Sequence, residues 1–235
     1  MTEPAESSRS LRKAYWSAIL SPSLGIALAL LCLRQWGSPQ PWSRLDVYSG
    51  TFLTVGVLLA VAQAASFYRA AFRSRELAAE ALGLSYDPGL LRWGTVLSLA
   101  QLSVLLDYAH WHLVPALENR VFQGIGLGLL FLAAAWLVWT DAWLTRHFSG
   151  QAGTRPLMTQ GPFGLVRHPR YAVFLAGQVA IPLVFASIFG WILLPLWTLL
   201  FQRRIRREEG HLREQYGAEY DAYARRTARL LPGIY

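Results

Sequence analysis

From Ala172 to Gln202 the chain runs for 31 residues without a charged side chain. A hydrocarbon core about 30 Å thick is crossed by about 20 apolar residues in helical form. Together with Tyr171 this stretch would reach about 48 Å as one helix, too long for a single crossing. It contains Pro182, Gly190 and Pro195, and "FASIFG" (185–190) near its middle can turn, so the reading is a hairpin of two short helices.

Four further apolar regions, roughly 14–33, 49–72, 94–113 and 122–145, each have the length of a membrane helix. The expected fold is therefore all-α: a polytopic membrane bundle of about six inserted helices, the last two forming the hairpin, followed by a cytoplasmic C-terminal helix. The composition agrees, since 54% of residues are hydrophobic and only 15% charged, too few to cover a soluble domain. Arg9, Arg12 and Lys13 precede the first region, but no small-residue cleavage site follows, so it reads as a retained helix. The single cysteine, Cys32, can form no internal disulfide. Two parts are expected: four spans in 1–145, and 146–235 with the connector, hairpin and tail.

Lys and Arg are distributed by side, as the positive-inside rule requires. The N-terminus holds 3, the second and fourth loops 4 each, and the tail from Arg203 onward 8, whereas Arg34, Arg44 and Arg120 lie opposite. The asymmetry fits an even number of crossings with both termini cytoplasmic. It also accounts for the basic excess, so no nucleic-acid partner is expected.

Polar residues in apolar segments are costly and informative. Asp107, His110 and His112, near the end of the third region, read as interfacial, water-exposed side chains, and no metal is expected. Gln63, Gln101 and Gln178 read as interhelical hydrogen-bonding groups. "GIGLG" (124–128) has no preceding strand, so Gly124 and Gly128 read as a small-residue packing face and not as a phosphate-binding turn.

"GPFGLVRHPRY" (161–171) precedes the hairpin. Gly161 and Pro162 favour a turn, and Pro169 biases His168 away from helical geometry, giving a bent connector. Beyond the hairpin, "RRIRREEGHLREQYGAEYDAYARR" (203–226) reads as mostly helical, with Tyr216, Tyr220 and Tyr223 spaced to line one helical face. Anionic lipid could explain its arginines, but not the Glu208–Glu209 pair or the tyrosines. A hairpin brings its ends together. Arg167, His168 and Tyr171 should thus meet Arg203 to Glu209.

The connector, the charge-free hairpin and "EEGHLREQYGAEYDAY" (208–223) with "LLP" (230–232) beyond it resemble the isoprenylcysteine carboxyl methyltransferase family and its phospholipid methyltransferase-like relatives. The likeness covers about residues 154–232. It implies methyl transfer from S-adenosylmethionine to a lipid-like or hydrophobic acceptor at the cytoplasmic face, with membrane lipids as the other partners. It further implies that His168, the backbone around Pro169 and Tyr171 hold the amino-acid end of the cofactor. Glu208 or Glu209 would take its ammonium, Tyr220 and Tyr223 would enclose the nucleoside, and Arg167 would brace the connector. Arg203, Arg204 or Arg207 would orient an anionic acceptor; for an amine or thiol acceptor, Glu208, Glu209 or His168 could take the proton. The chain departs from the family pattern at Val173, where many relatives have glycine, and at Thr227-Ala228, where the pattern has valine-proline. Membrane sterol reductases, which bind NADPH, look similar over the same region, and a non-catalytic lipid- or partner-binding protein is the third reading.

Overall fold

The computed structural model describes residues 46–73, 89–147 and 156–233. The predicted span at 14–33 and Cys32 lie outside the described residues, as does the side chain of Gln63. What is described is helical: α1 (Val47–Arg73), α2 (Gly89–Ala100), α3 (Leu102–Leu106), α4 (Arg120–His147), α5 (Pro162–Leu165), α6 (Pro169–Phe185), α7 (Ile188–Tyr216) and α8 (Ala218–Arg226). No strand occurs among the described residues, only an isolated bridge between Val166 and Ala228.

Local chemistry sets the ends of these helices. Asp46 and Ser49 cap α1 reciprocally: Ser49 N–H donates to Asp46 Oδ1 at 2.9 Å, and Asp46 N–H donates to Ser49 Oγ at 3.1 Å. Pro162 and Pro169 each occupy the first turn of their helix, where a missing N–H costs nothing. Gly217, at φ 52° and ψ −125°, ends α7 and starts α8.

The charge-free stretch is a hairpin, as expected. Its turn falls at Ala186, which is left-handed at φ 49°, and Ser187. The arms approach closely because residue 190 is glycine: a Cβ there would lie 2.7 Å from that of Pro182. Ser187 Oγ donates to Asp107 Oδ2 at 2.7 Å, and Leu113 N–H donates to Asp107 Oδ1 at 3.1 Å. Asp107 is buried, not water-exposed as the sequence suggested, because the hairpin tip covers it and its carboxylate holds the turn. It forms no metal-binding group with His110 and His112 among the described residues.

Two further expectations need correction. The region 94–113 is not one regular helix: it is interrupted at Gln101 and widens into a π-helical turn at Asp107–Trp111. Gln101 there accepts from Trp197 Nε1 at 3.1 Å, the interhelical bond expected of it. The packing glycine of "GIGLG" is Gly126, not Gly124 or Gly128. A Cβ on Gly126 would meet Val184 Cγ2 at 2.8 Å and the Ala180 carbonyl at 3.0 Å, whereas one on Gly128 would meet nothing within 4 Å. α4 and α6 therefore run antiparallel in direct contact, and Arg170 Nη2 ties their other ends by donating to Asp141 Oδ1 at 2.7 Å.

The core between α2, α3, α6 and α7 gathers Val104, Val184, Phe185, Leu193, Trp197 and Phe201. Among the described residues one helix, α4, is long and apolar enough to cross a membrane; Val47–Leu59 and α6 are shorter apolar helices. Only 22% of the most apolar window of α4 is buried, which is unlike the core helix of a soluble protein.

Candidate functional site

α7 carries the chain from an apolar half into a polar half at Arg203 without a break, so the tail begins as a rigid extension of the hairpin. At 29 residues it is about 43 Å long. The short helix α5, the extended residue Val166 and the non-helical His168 fold the connector against this extension. The tight turn at Gly161, φ 60°, lies under the Trp143 ring, which a Cβ would approach to 2.5 Å.

The two flanks of the hairpin meet. Tyr171 Oη donates to Glu208 Oε2 at 2.9 Å and accepts from Arg204 Nε. His168 lies between the two carboxylates, Nδ1 at 3.9 Å from Glu208 Oε2 and Nε2 at 3.4 Å from Glu209 Oε1. Its Nε2 is buried and makes no directed hydrogen bond. His168 and Arg204 are buried, whereas the Glu208 side chain keeps 27% of its surface exposed. Arg203 is exposed and Arg207 half-buried.

Glu209 is fully buried at the centre of a cationic ring. Arg167 Nε donates to Oε1 at 3.1 Å, and Arg229 donates through Nε to both oxygens and through Nη2 to Oε2 at 2.8 Å. Burial by itself would raise its pKa, but facing His168 and the Arg229 and Arg167 guanidiniums outweigh it, so the carboxyl is held well below the usual range. Arg167 also donates to the carbonyls of Ala224, at 2.6 Å, and of Thr227, capping the C-terminal end of α8 with a cation.

The tyrosine stripe is split. Tyr216 closes α7, whereas Tyr220 and Tyr223 belong to α8 beyond Gly217, so the three do not line one helix. Tyr220 and Tyr223 are buried. Tyr223 Oη donates to the Phe163 carbonyl at 2.7 Å, which pins α8 to α5, while Tyr220 Oη makes no hydrogen bond. Burial first, and then the nearby Glu209 charge, push the Tyr220 phenol up to about 12.

Arg229 is the residue that sequence reasoning missed. It stands beyond the predicted tail helix, next to the Thr227-Ala228 departure, and only a count of cations against the buried Glu209 could have pointed to it. The departure leaves the connector's contacts in place, because they use carbonyls: Arg167 N–H donates to Ala228 O at 2.8 Å and His168 N–H to Arg229 O at 3.0 Å.

Below the polar cluster the rings of Tyr171, Phe201, Phe174 and Trp197 follow one another, with centroids 5.4 Å apart for Tyr171–Phe201 and 4.6 Å for Phe174–Phe201. The site thus joins a half-open carboxylate, a buried imidazole and guanidinium, and an apolar aromatic wall. Such a set can hold a zwitterionic ligand beside an apolar one.

Residues 121–219 match the family of phospholipid methyltransferases. Over 90 residues the chain is 36% identical to a probable protein-S-isoprenylcysteine O-methyltransferase of Oryza sativa subsp. japonica, covering 37% of this chain and 45% of that one. It is 26% identical over 142 residues to the nickel-cobalt-cadmium resistance protein NccN of Alcaligenes xylosoxydans xylosoxydans, covering 60% and 63%. It is 31% identical over 90 residues to 7-dehydrocholesterol reductase of Arabidopsis thaliana, covering 37% and 21%. The chain therefore spans less than two thirds of the length of each of these relatives.

Proposed function

Residues 121–219 carry the phospholipid methyltransferase family pattern, and on that premise we propose that the protein transfers a methyl group from S-adenosylmethionine to a membrane-associated, lipid-like acceptor. The observation that carries the reading is the junction Arg204–Tyr171–Glu208, which joins the entrance of the hairpin to its exit. The residues fit the cofactor. Glu208 is a partly exposed carboxylate suited to an ammonium, and Tyr220 offers a buried hydroxyl with no hydrogen bond of its own. When bound, the cofactor supplies a methyl carbon activated by a sulfonium.

What the chain then contributes is position and the exclusion of water. His168, the backbone at Pro169 and Tyr171 hold the amino-acid end, with Glu208 facing the ammonium. Glu209, whose oxygens are taken by Arg167 and Arg229, keeps the connector in place. Tyr220 and Tyr223 back the nucleoside side. Arg203 and Arg207, at the surface of α7, orient an anionic acceptor, with Arg204 beneath them. A carboxylate acceptor is already ionised near neutral pH, whereas an amine or thiol would pass its proton to Glu208, the more accessible carboxylate. Six inserted helices, both termini in the cytoplasm and a site at that face complete the proposal; the exposed apolar surface of α4 supports its membrane insertion alone.

Calorimetric titration of the detergent-solubilised chain with S-adenosylhomocysteine tests this. Binding in the micromolar range is expected, and His168→Ala or Glu208→Ala should weaken it about tenfold or more without preventing membrane insertion. A folded sample that binds no S-adenosylhomocysteine, but is stabilised by NADPH, would move the protein to the reductase class.

A further inference from the structure

Arg229 lies beyond the matched residues 121–219, yet it reaches the site in two ways. Its carbonyl accepts from the His168 N–H at 3.0 Å, beside Ala228, whose carbonyl accepts from the Arg167 N–H at 2.8 Å. Its guanidinium grips both oxygens of Glu209, Nε at 3.1 and 3.2 Å and Nη2 at 2.8 Å. Glu209 in turn faces His168 Nε2 at 3.4 Å. One residue therefore acts on His168 from two sides, on its backbone directly and on its ring through a carboxylate.

Geometry makes this control strict. A buried carboxylate gripped by the Arg167 and Arg229 guanidiniums, with Arg213 Nη2 at 3.9 Å, gives up charged hydrogen bonds if it turns toward another partner. Arg167 closes the arrangement from the connector by donating to Glu209 and to the last carbonyls of α8. Thr227 to Leu230 thus forms a strap across the connector. The Arg229 side chain is its only cation on Glu209, because Thr227, Ala228 and Leu230 carry no charge.

We infer, on the methyl-transfer reading, that Arg229 is a positioning residue of the cofactor site: acting through Glu209 and the strap backbone, it holds His168 in the orientation that the ligand meets. It touches no ligand. Its contribution should appear as ligand affinity, beyond what the loss of a surface-facing arginine does to folding.

The test is titration of the detergent-solubilised full chain with S-adenosylhomocysteine, alongside melting temperatures. Arg229→Ala should bind about tenfold more weakly or worse, as expected for losing charged hydrogen bonds. Arg229→Lys keeps the charge but not the two-pronged grip, and should fall between. Leu193→Ala removes a buried apolar side chain from the core, away from the strap; it should lower the melting temperature while affinity stays within about twofold. Because Arg229 works through Glu209, the double variant Glu209→Gln/Arg229→Ala should bind no more than about twofold worse than Glu209→Gln alone. The inference is overturned if Arg229→Ala, or Arg229→Lys where the alanine variant does not fold, binds like the wild type. Equal loss of affinity in Leu193→Ala, or multiplying losses in the double variant, would overturn it too. A wild-type chain that binds nothing overturns the methyl-transfer reading together with this one, whereas normal binding by the Arg229 variants removes this one alone.

Discussion

Glu209 shows how a single buried charge sets a pH dependence. Its folded carboxyl titrates below its ordinary value of 4.5 because Arg167, Arg229 and His168 surround it. A group with a depressed folded pKa stabilises the fold above its unfolded pKa and loses that contribution as pH falls toward the folded one. The melting temperature of the wild type should therefore drop as pH falls below 4.5, and Glu209→Gln should flatten that acid limb. An equally steep limb in the variant would mean that other carboxylates cause it. Gly161 is decided by a different force. At φ 60° and ψ −131°, under the Trp143 ring, an alanine would suffer both backbone strain and a steric clash. Gly161→Ala should cost about 2 kcal/mol or more, read as denaturant or thermal stability.

At the scale of elements, the contact between α4 and α6 rests on one small residue. Gly126→Ala would press a Cβ into Val184 and the α6 backbone and should destabilise by about 1–3 kcal/mol. Gly128→Ala meets open space and should be neutral, or stabilise by up to about 1 kcal/mol through helix propensity. Opposite signs for two glycines two residues apart would confirm the antiparallel register, and equal effects would refute it. α7 matters for a related reason: because it continues unbroken from the apolar arm into the polar half, Glu208 and Glu209 are held on a rigid rod at a fixed distance from the hairpin entrance.

For the whole molecule, the connector, the polar half of α7, α8 and the strap form one polar end, joined by the Glu209 ring and by Tyr223 to α5. The opposite end is held by Asp107 on Ser187 and by Ser49 Oγ with Tyr108 Oη, 3.0 Å apart. The exposed apolar residues of α4, among them Phe131, Leu132 and Val138, suit lipid around the middle. Both termini are expected in the cytoplasm, since the basic loops share that side. A reporter fused to the C-terminus that is active only in the cytoplasm should fluoresce, and a silent but well-inserted fusion would reverse the orientation.

The sequence by itself determined the hairpin, because 31 uncharged residues are too long for one crossing and a short turn lies at their middle. It also determined that His168 and Tyr171 would meet Glu208 and Glu209, since a hairpin must return its ends to one place. Only the tertiary structure decided which carboxylate is open and which is enclosed. Neighbouring glutamates on one helix differ by about 100° in direction, and nothing local says which of them faces the strap. The same holds for Arg229, for Gly126 in place of Gly124 and Gly128, and for Asp107 beneath Ser187. Each depends on a partner at least 20 residues away for Arg229–Glu209 and 80 residues away for Ser187–Asp107, and local spacing carries no record of such partners.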